Sequence, residues 1–150
     1  KRPDYFIRLA EEFPKRLFVM CGTGTEKLSV PKNVMNLGQL PYKETLSAMK
    51  ACRAFVLPSS KEAFGSVLLE AMACRKPVCA TNSTGMKELV SDSENGYLFK
   101  HDDIKDMIRK ADMAWNNPDI GEKGHKTVKE NYDWKDIVKK IDSEYEEICK

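Results

Sequence analysis

Glu62 and Glu70 stand on either side of Ala63-Phe64-Gly65-Ser66, in the stretch SSKEAFGSVLLEAMA, where a loop gives way to a helix. A helix start presents several unpaired N–H groups and a partial positive charge, so Gly65-Ser66 is a candidate anion site, best suited to phosphate. Gly65 permits a close backbone approach that a side chain would obstruct. Val67, Leu68, Ala71 and Met72 form the apolar face of the helix, which sets Glu70 beside it, about one turn above the anion site. A carboxylate there accepts two hydrogen bonds at once, as the vicinal hydroxyls of a ribose require. Glu62, on the other side, is placed for hydroxyls of a second polyol. Diol, phosphate and polyol outline a nucleotide sugar. Spacing alone leaves equally open that Glu62 is a solvated loop residue and Glu70 an ordinary surface residue of the helix.

Apolar patterning supplies the frame. Tyr5, Phe6, Leu9, Ala10 and Phe13 recur at helical spacing and stop at Pro14. Short apolar runs at 16–21, 33–37, 54–57, 77–80 and 96–99 read as buried strands. Helical segments fall between them at 42–51, 66–74 and, briefly, 86–90. Strands separated by helices imply right-handed crossovers and a parallel sheet covered on both faces. The expected fold is α/β, a Rossmann-like doubly wound parallel sheet, with the stripes at 104–115 and 134–148 packed on it as C-terminal helices. Ligands of such sheets bind outside the carboxyl ends of the strands. Gly22-Thr23-Gly24, Gly38-Gln39, 59–65 and 81–85 each follow a strand, so four loops share one rim and a pocket is expected there.

A chain of 150 residues, 41% of them hydrophobic, has the size of one domain. Its net charge of +2, with both signs interspersed, carries no nucleic-acid footprint and no polybasic membrane patch. No apolar run approaches the roughly 20 residues that span a bilayer, so direct membrane insertion is not expected. The five cysteines, Cys21, Cys52, Cys74, Cys79 and Cys149, are odd in number and form no CxxC pair. They read as buried thiols of a reducing compartment, which points to the cytoplasm, including the cytoplasmic face of a membrane. Lys1 is no initiator methionine and leads straight into a helix, as in a fragment of a longer protein.

The linked motifs SSKEAFGSVLLEAMA, Lys76-Pro77-Val-Cys-Ala80-Thr81, Gly85-Met-Lys-Glu88 and Asn95-Gly96-Tyr-Leu resemble the donor-binding domain of retaining GT-B glycosyltransferases. The closest likeness is to the Glu-x7-Glu group, and it covers essentially the whole chain. The resemblance implies one half of a GT-B fold, lacking the N-terminal acceptor domain and the first strand of this domain. It implies transfer of a glycosyl unit, with retention, from a nucleoside diphosphate sugar to an acceptor. Glu62 resembles the glutamate that contacts the donor sugar, and Glu70 the one that holds the ribose. Phe64, Gly65 and Ser66 resemble the segment whose amides hold sugar and phosphate, with Val67 adding a backbone contact. Gly22, Gly38 and Gln39 match loops lining the base pocket. Lys1 stands where the family has a phosphate-binding lysine, followed by Arg2 in place of a glycine; with Glu62 it is the candidate catalytic pair.

Arg75 occupies another position where the family commonly has glycine, so the turn there differs or accepts strain. Thr84-Gly85 replaces a common pair of glycines, and Glu88 reads as structural. There is no Asp-x-Asp, a frequent signature of metal-dependent transferases. No metal and no cofactor is expected; oriented amides and basic groups would stabilise the leaving diphosphate. His101 and His125 read as surface residues far from the strand-end loops. An alternative is a non-catalytic nucleotide or sugar-phosphate binding module; a flavin domain on this fold is disfavoured, since no loop offers a flavin cradle.

Overall fold

Residues 1–149 are described by a computed structural model, in which five strands and seven α-helices follow one another. Helix α1 (Pro3–Glu12) opens with proline, whose missing N–H costs nothing in a first turn, and buries Tyr5, Leu9 and Ala10. Its carbonyl end is closed from outside: the Asn33 amide donates to the carbonyls of Ala10 (2.8 Å), Phe13 (3.2 Å) and Arg16 (3.1 Å). Strands β1 (Phe18–Cys21) and β2 (Val34–Gly38) then pair in parallel, Phe18 opposite Val34.

Next come α2 (Tyr42–Ala51), β3 (Phe55–Leu57), α3 (Ser66–Ala73), β4 (Val78–Thr81), α4 (Thr84–Lys87) and β5 (Tyr97–Phe99). The last three strands form a parallel sheet in the order β3-β4-β5. Every residue of β4 is buried, as in a central strand with both faces covered. On one face Val78 and Ala80 pack with Leu68, Ala71 and Met72 of α3 and with Met86. On the other Cys79 packs with Tyr5, Leu9, Phe99 and Met107.

All pairings are parallel, as the alternation demands, but the ladder is interrupted: no hydrogen bonds join the β1-β2 pair to the β3-β4-β5 sheet. Helix α1 bridges the two pieces. Its Tyr5 and Leu9 share a core with Val56 of β3, its Ala10 packs on Met20 and Val34, and Phe18 belongs to both clusters.

Helix α5 (Ile104–Asn116) starts at Asp103, whose carboxylate accepts the Asp106 N–H at 2.9 Å, and buries Met107, Ala111 and Ala114. Helix α6 (Asp119–Asn131) buries Ile120, Gly121 and Gly124. These two lie on the body, as expected of C-terminal helices. Helix α7 (Trp134–Ile148) does not: it buries no residue, with Trp134 74% and Ile148 78% exposed. Both faces of β4 are already covered by the other helices, so the 134–148 stripe finds no sheet to pack on.

Two smaller expectations change. The helix expected at 86–90 starts at Thr84, because the Ser83 carbonyl accepts the N–H groups of Met86 and Lys87 as soon as the chain leaves β4. Of the five cysteines, all free, only Cys79 is buried. Cys52 and Cys74 cap helix ends half-exposed, Cys21 ends β1 exposed, and Cys149 follows the exposed α7. Among the described residues no helix is long and apolar enough to cross a membrane.

Candidate functional site

Helix α3 begins after Gly65, whose backbone is left-handed (φ 73°), and no side chain caps it. The amides at Ser66 and Val67 therefore open the helix without a capping partner from a side chain. The loop before it is pressed onto α4. A Cβ on Gly85 would lie 2.5 Å from the carbonyl oxygens of both Glu62 and Ala63, and one on Gly65 would lie 2.4 Å from Cε of Met86. Phe64 projects from the loop and meets Tyr132 edge-on, ring centroids 6.1 Å apart. The Tyr132 hydroxyl in turn donates to the Glu88 carbonyl at 3.3 Å, which gives Glu88 a structural contact.

Glu62 forms an ion pair with Lys1, joining residues 61 positions apart. Its side chain is only 15% exposed while that of Lys1 is 72% exposed. Burial pushes the Glu62 carboxyl up, but the Lys1 ammonium outweighs this and the group sits below the usual glutamate range. The buried Ser59 hydroxyl leans on the carboxylate too, without completing a well-formed hydrogen bond.

Lys1 reaches Glu62 because of how α1 begins. Arg2 precedes the helix in a left-handed conformation (φ 55°, ψ 56°), which explains why a glycine would fit this position. Arg2 holds it through Asp4 (Nη2 to Oδ2, 3.0 Å), Asp102 (Nη1 to Oδ1, 2.5 Å) and the Tyr5 ring, 3.8 Å from its guanidinium carbon. Glu70 is half-buried on α3 and enters no ion pair among the described residues.

Gly22, Gly38 and Gln39 come together beyond β1 and β2. The Gly22 N–H donates to the Gly38 carbonyl at 2.8 Å, and the Gln39 N–H donates to Oε1 of Glu26 at 3.1 Å. Gly38 is left-handed (φ 62°), and a Cβ there would lie 2.7 Å from Cγ of Glu26. Glu26, missed in the sequence, thus organises this corner; backbone N–H groups, its own and that of Gln39 foremost, hold its carboxyl below the usual range. The available signal was an acidic residue just after a Gly-x-Gly turn.

His101 corrects an expectation. It follows β5 at the carboxyl side of the sheet, close to the loop of Glu62 rather than far from it, and its Nδ1 lies 2.9 Å from Oδ2 of Asp102. Because β5 ends at Phe99, His101 two residues on belongs to a strand-end loop itself. His125 does stand apart, its Nδ1 3.0 Å from the Ala73 carbonyl at the end of α3. Arg75 accepts the strain of its glycine position, with φ 61° and hydrogen bonds Arg75 N–H to Met72 O and Lys76 N–H to Ala71 O that close α3. No three His, Cys, Asp or Glu side chains of the described residues gather as a metal-binding group.

A parallel α/β unit of this kind has the outline of one half of a GT-B fold, and comparison with known proteins agrees on the fold. The family Glycosyl transferases group 1 matches residues 1–134, and the chain belongs to it. An uncharacterized glycosyltransferase of Methanocaldococcus jannaschii is 36% identical over 116 residues, 75% of this chain and 33% of its own length. The C-terminal domain of a Francisella tularensis group 1 family protein, LpcC, superposes with TM-score 0.73 at 25% identity, covering 88% of this chain and 80% of that one. Anabaena HepE, solved in complex with UDP-glucose, shares the fold with TM-score 0.84 at 22% identity, over 98% of this chain and 45% of that one. The chain spans about a third of the length of the first curated relatives it matches.

Proposed function

We propose that this chain is the donor-binding half of a retaining, metal-independent glycosyltransferase that moves a hexosyl unit from a nucleoside diphosphate sugar to an acceptor. The observation that carries the reading is the uncapped start of α3 between the Lys1–Glu62 pair and Glu70, which enters no ion pair among the described residues. The open amides of Gly65, Ser66 and Val67 receive phosphate oxygens, and Glu70, one turn on, accepts the two ribose hydroxyls. Without donor, Lys1 neutralises Glu62. A diphosphate competes for the ammonium, which moves to the leaving group and frees the carboxylate for the sugar hydroxyls. Gly22, Gly38 and Gln39 line the base. That HepE was solved with UDP-glucose supports a nucleotide-sugar donor for this fold.

The interrupted ladder supports a preceding segment. β1 and β3 each have one neighbour, and α1, packed across both, starts on the carboxyl rim beside Glu62. A strand running parallel to β1 and leading into α1 by a right-handed crossover would end at that rim, between the two pieces. An acceptor domain further upstream would find an uncovered apolar stripe on α7 at Trp134, Val138, Ile141 and Tyr145.

Calorimetric titration with uridine, guanosine and adenosine diphosphates tests donor binding; a folded chain that takes none of them at millimolar concentration refutes it. In the full-length protein, Glu62→Ala and Glu70→Ala should each lower turnover by orders of magnitude without removing it, and EDTA should leave the parent's turnover intact. Nucleotide binding with turnover unaffected by both variants would favour the non-catalytic module.

A further inference from the structure

A cavity of about 560 Å³ opens beside Glu62, and of its lining residues the donor-site reading uses Glu62 alone. Lys61 and Glu62 line it from the loop after β3, Asn82 and Ser83 from the loop after β4, Lys87 from α4, and His101 from the loop after β5. Its volume is in the range of small-molecule sites, about 300–1,000 Å³.

Lysines outnumber carboxylates on its wall. Glu62 is its one carboxylate, paired with Lys1 while no donor is bound, and Asp102 beside His101 is paired with Arg2. Lys61 and Lys87 face the same space with no carboxylate at ion-pair distance among the described residues. Two ammonium groups against one carboxylate raise the local concentration of anions. A neutral hexose would leave both ammonium groups unanswered.

We propose that this cavity binds an acidic group, carboxylate or phosphate, carried by the transferred sugar or by the acceptor beside Glu62. The proposal rests on reading Glu62 as the contact to the sugar. Lys61 and Lys87 act as point charges, while the exposed Asn82 amide orients the ligand oxygens. The site thereby selects for acidic substrates over neutral ones.

Amide chemical shifts of the chain, followed during separate titrations with inorganic phosphate, a hexuronate, neutral glucose and a nucleoside diphosphate, test this. The two acids should perturb Lys61, Ser83 and Lys87 where glucose does not; the nucleotide should perturb Ser66 to Glu70. A stronger response to the hexuronate assigns a carboxylate, and to phosphate a phosphate ester. Lys61→Ala combined with Lys87→Ala should weaken the acids by about tenfold and leave the nucleotide unchanged. Acids that perturb these residues no more than glucose overturn the proposal, whatever the nucleotide does. A double variant that weakens nucleotide and acid alike also overturns it, assigning the lysines to the diphosphate. Acids that bind while the nucleotide leaves Ser66 to Glu70 untouched uphold the acidic site and remove the donor reading instead.

Discussion

Gly85→Ala asks whether α4 sets the position of Glu62. Gly85 is helical with no left-handed φ, so alanine suits its backbone, and by propensity alone the change would stabilise α4 by about 1 kcal/mol. The obstacle is the Glu62–Ala63 backbone. The new methyl carbon would start 2.5 Å from two carbonyl oxygens and 2.8 Å from the Ala63 carbonyl carbon, where ordinary contact begins at 3.4 Å. Loop and helix must therefore part by roughly 0.9 Å, at an overpacking cost of about 1–3 kcal/mol. Propensity and strain together leave the chain about 0–2 kcal/mol less stable, still folded, with its carboxylate displaced. A displacement near 1 Å at a reacting group lowers turnover by about a hundredfold. Urea denaturation reads the first quantity, and steady-state kinetics of the full-length protein, under the proposed transferase activity, the second. In a Glu62→Ala background the same substitution should cost little more turnover, because its effect runs through the missing carboxylate. Turnover within a few-fold of the parent, or an equal loss without Glu62, would refute the reasoning.

Arg75→Gly should stabilise the chain by about 1 kcal/mol in urea denaturation, since it relieves a left-handed non-glycine backbone and loses only the exposed pair with Glu122; a loss of stability would show that the pair dominates. The Glu62 carboxyl, depressed by Lys1, contributes stability that is present above its unfolded pKa, about 4.3, and lost as pH falls through its lower folded value. Its carbon shift should titrate below the usual range and move up in Lys1→Ala, and an unmoved midpoint would remove the ion pair. Burial pushes the Cys79 thiol far up, so a thiol reagent at neutral pH should modify Cys21 and Cys149 in the native chain and reach Cys79 only on unfolding. Early modification of Cys79 would contradict its place in the core.

The parts of this protein legible from its sequence are those whose cause is local. The strands and helices alternate because short apolar runs and helical stripes can be read in windows of a few residues. The start of α3 and the flanking of Gly65 by Glu62 and Glu70 follow from chain adjacency alone. The strain at Arg75 was visible because a helix end has a fixed preference for glycine.

What neighbours in space decide was not legible. Lys1 could be placed beside Glu62 only by resemblance, because their meeting depends on how α1 packs across two sheet pieces. The seat of Glu62 on Gly85, the corner built on Glu26, and the nearness of His101 to the rim join segments that share no periodicity. The bare face of α7 has the same amphipathic pattern as α5; whether such a face is buried depends on the space the rest of the fold leaves, and here both faces of β4 are already taken. Local patterning determined which groups could do chemistry, and tertiary packing alone decided which of them meet, because contact energy belongs to pairs that the chain brings together only on folding.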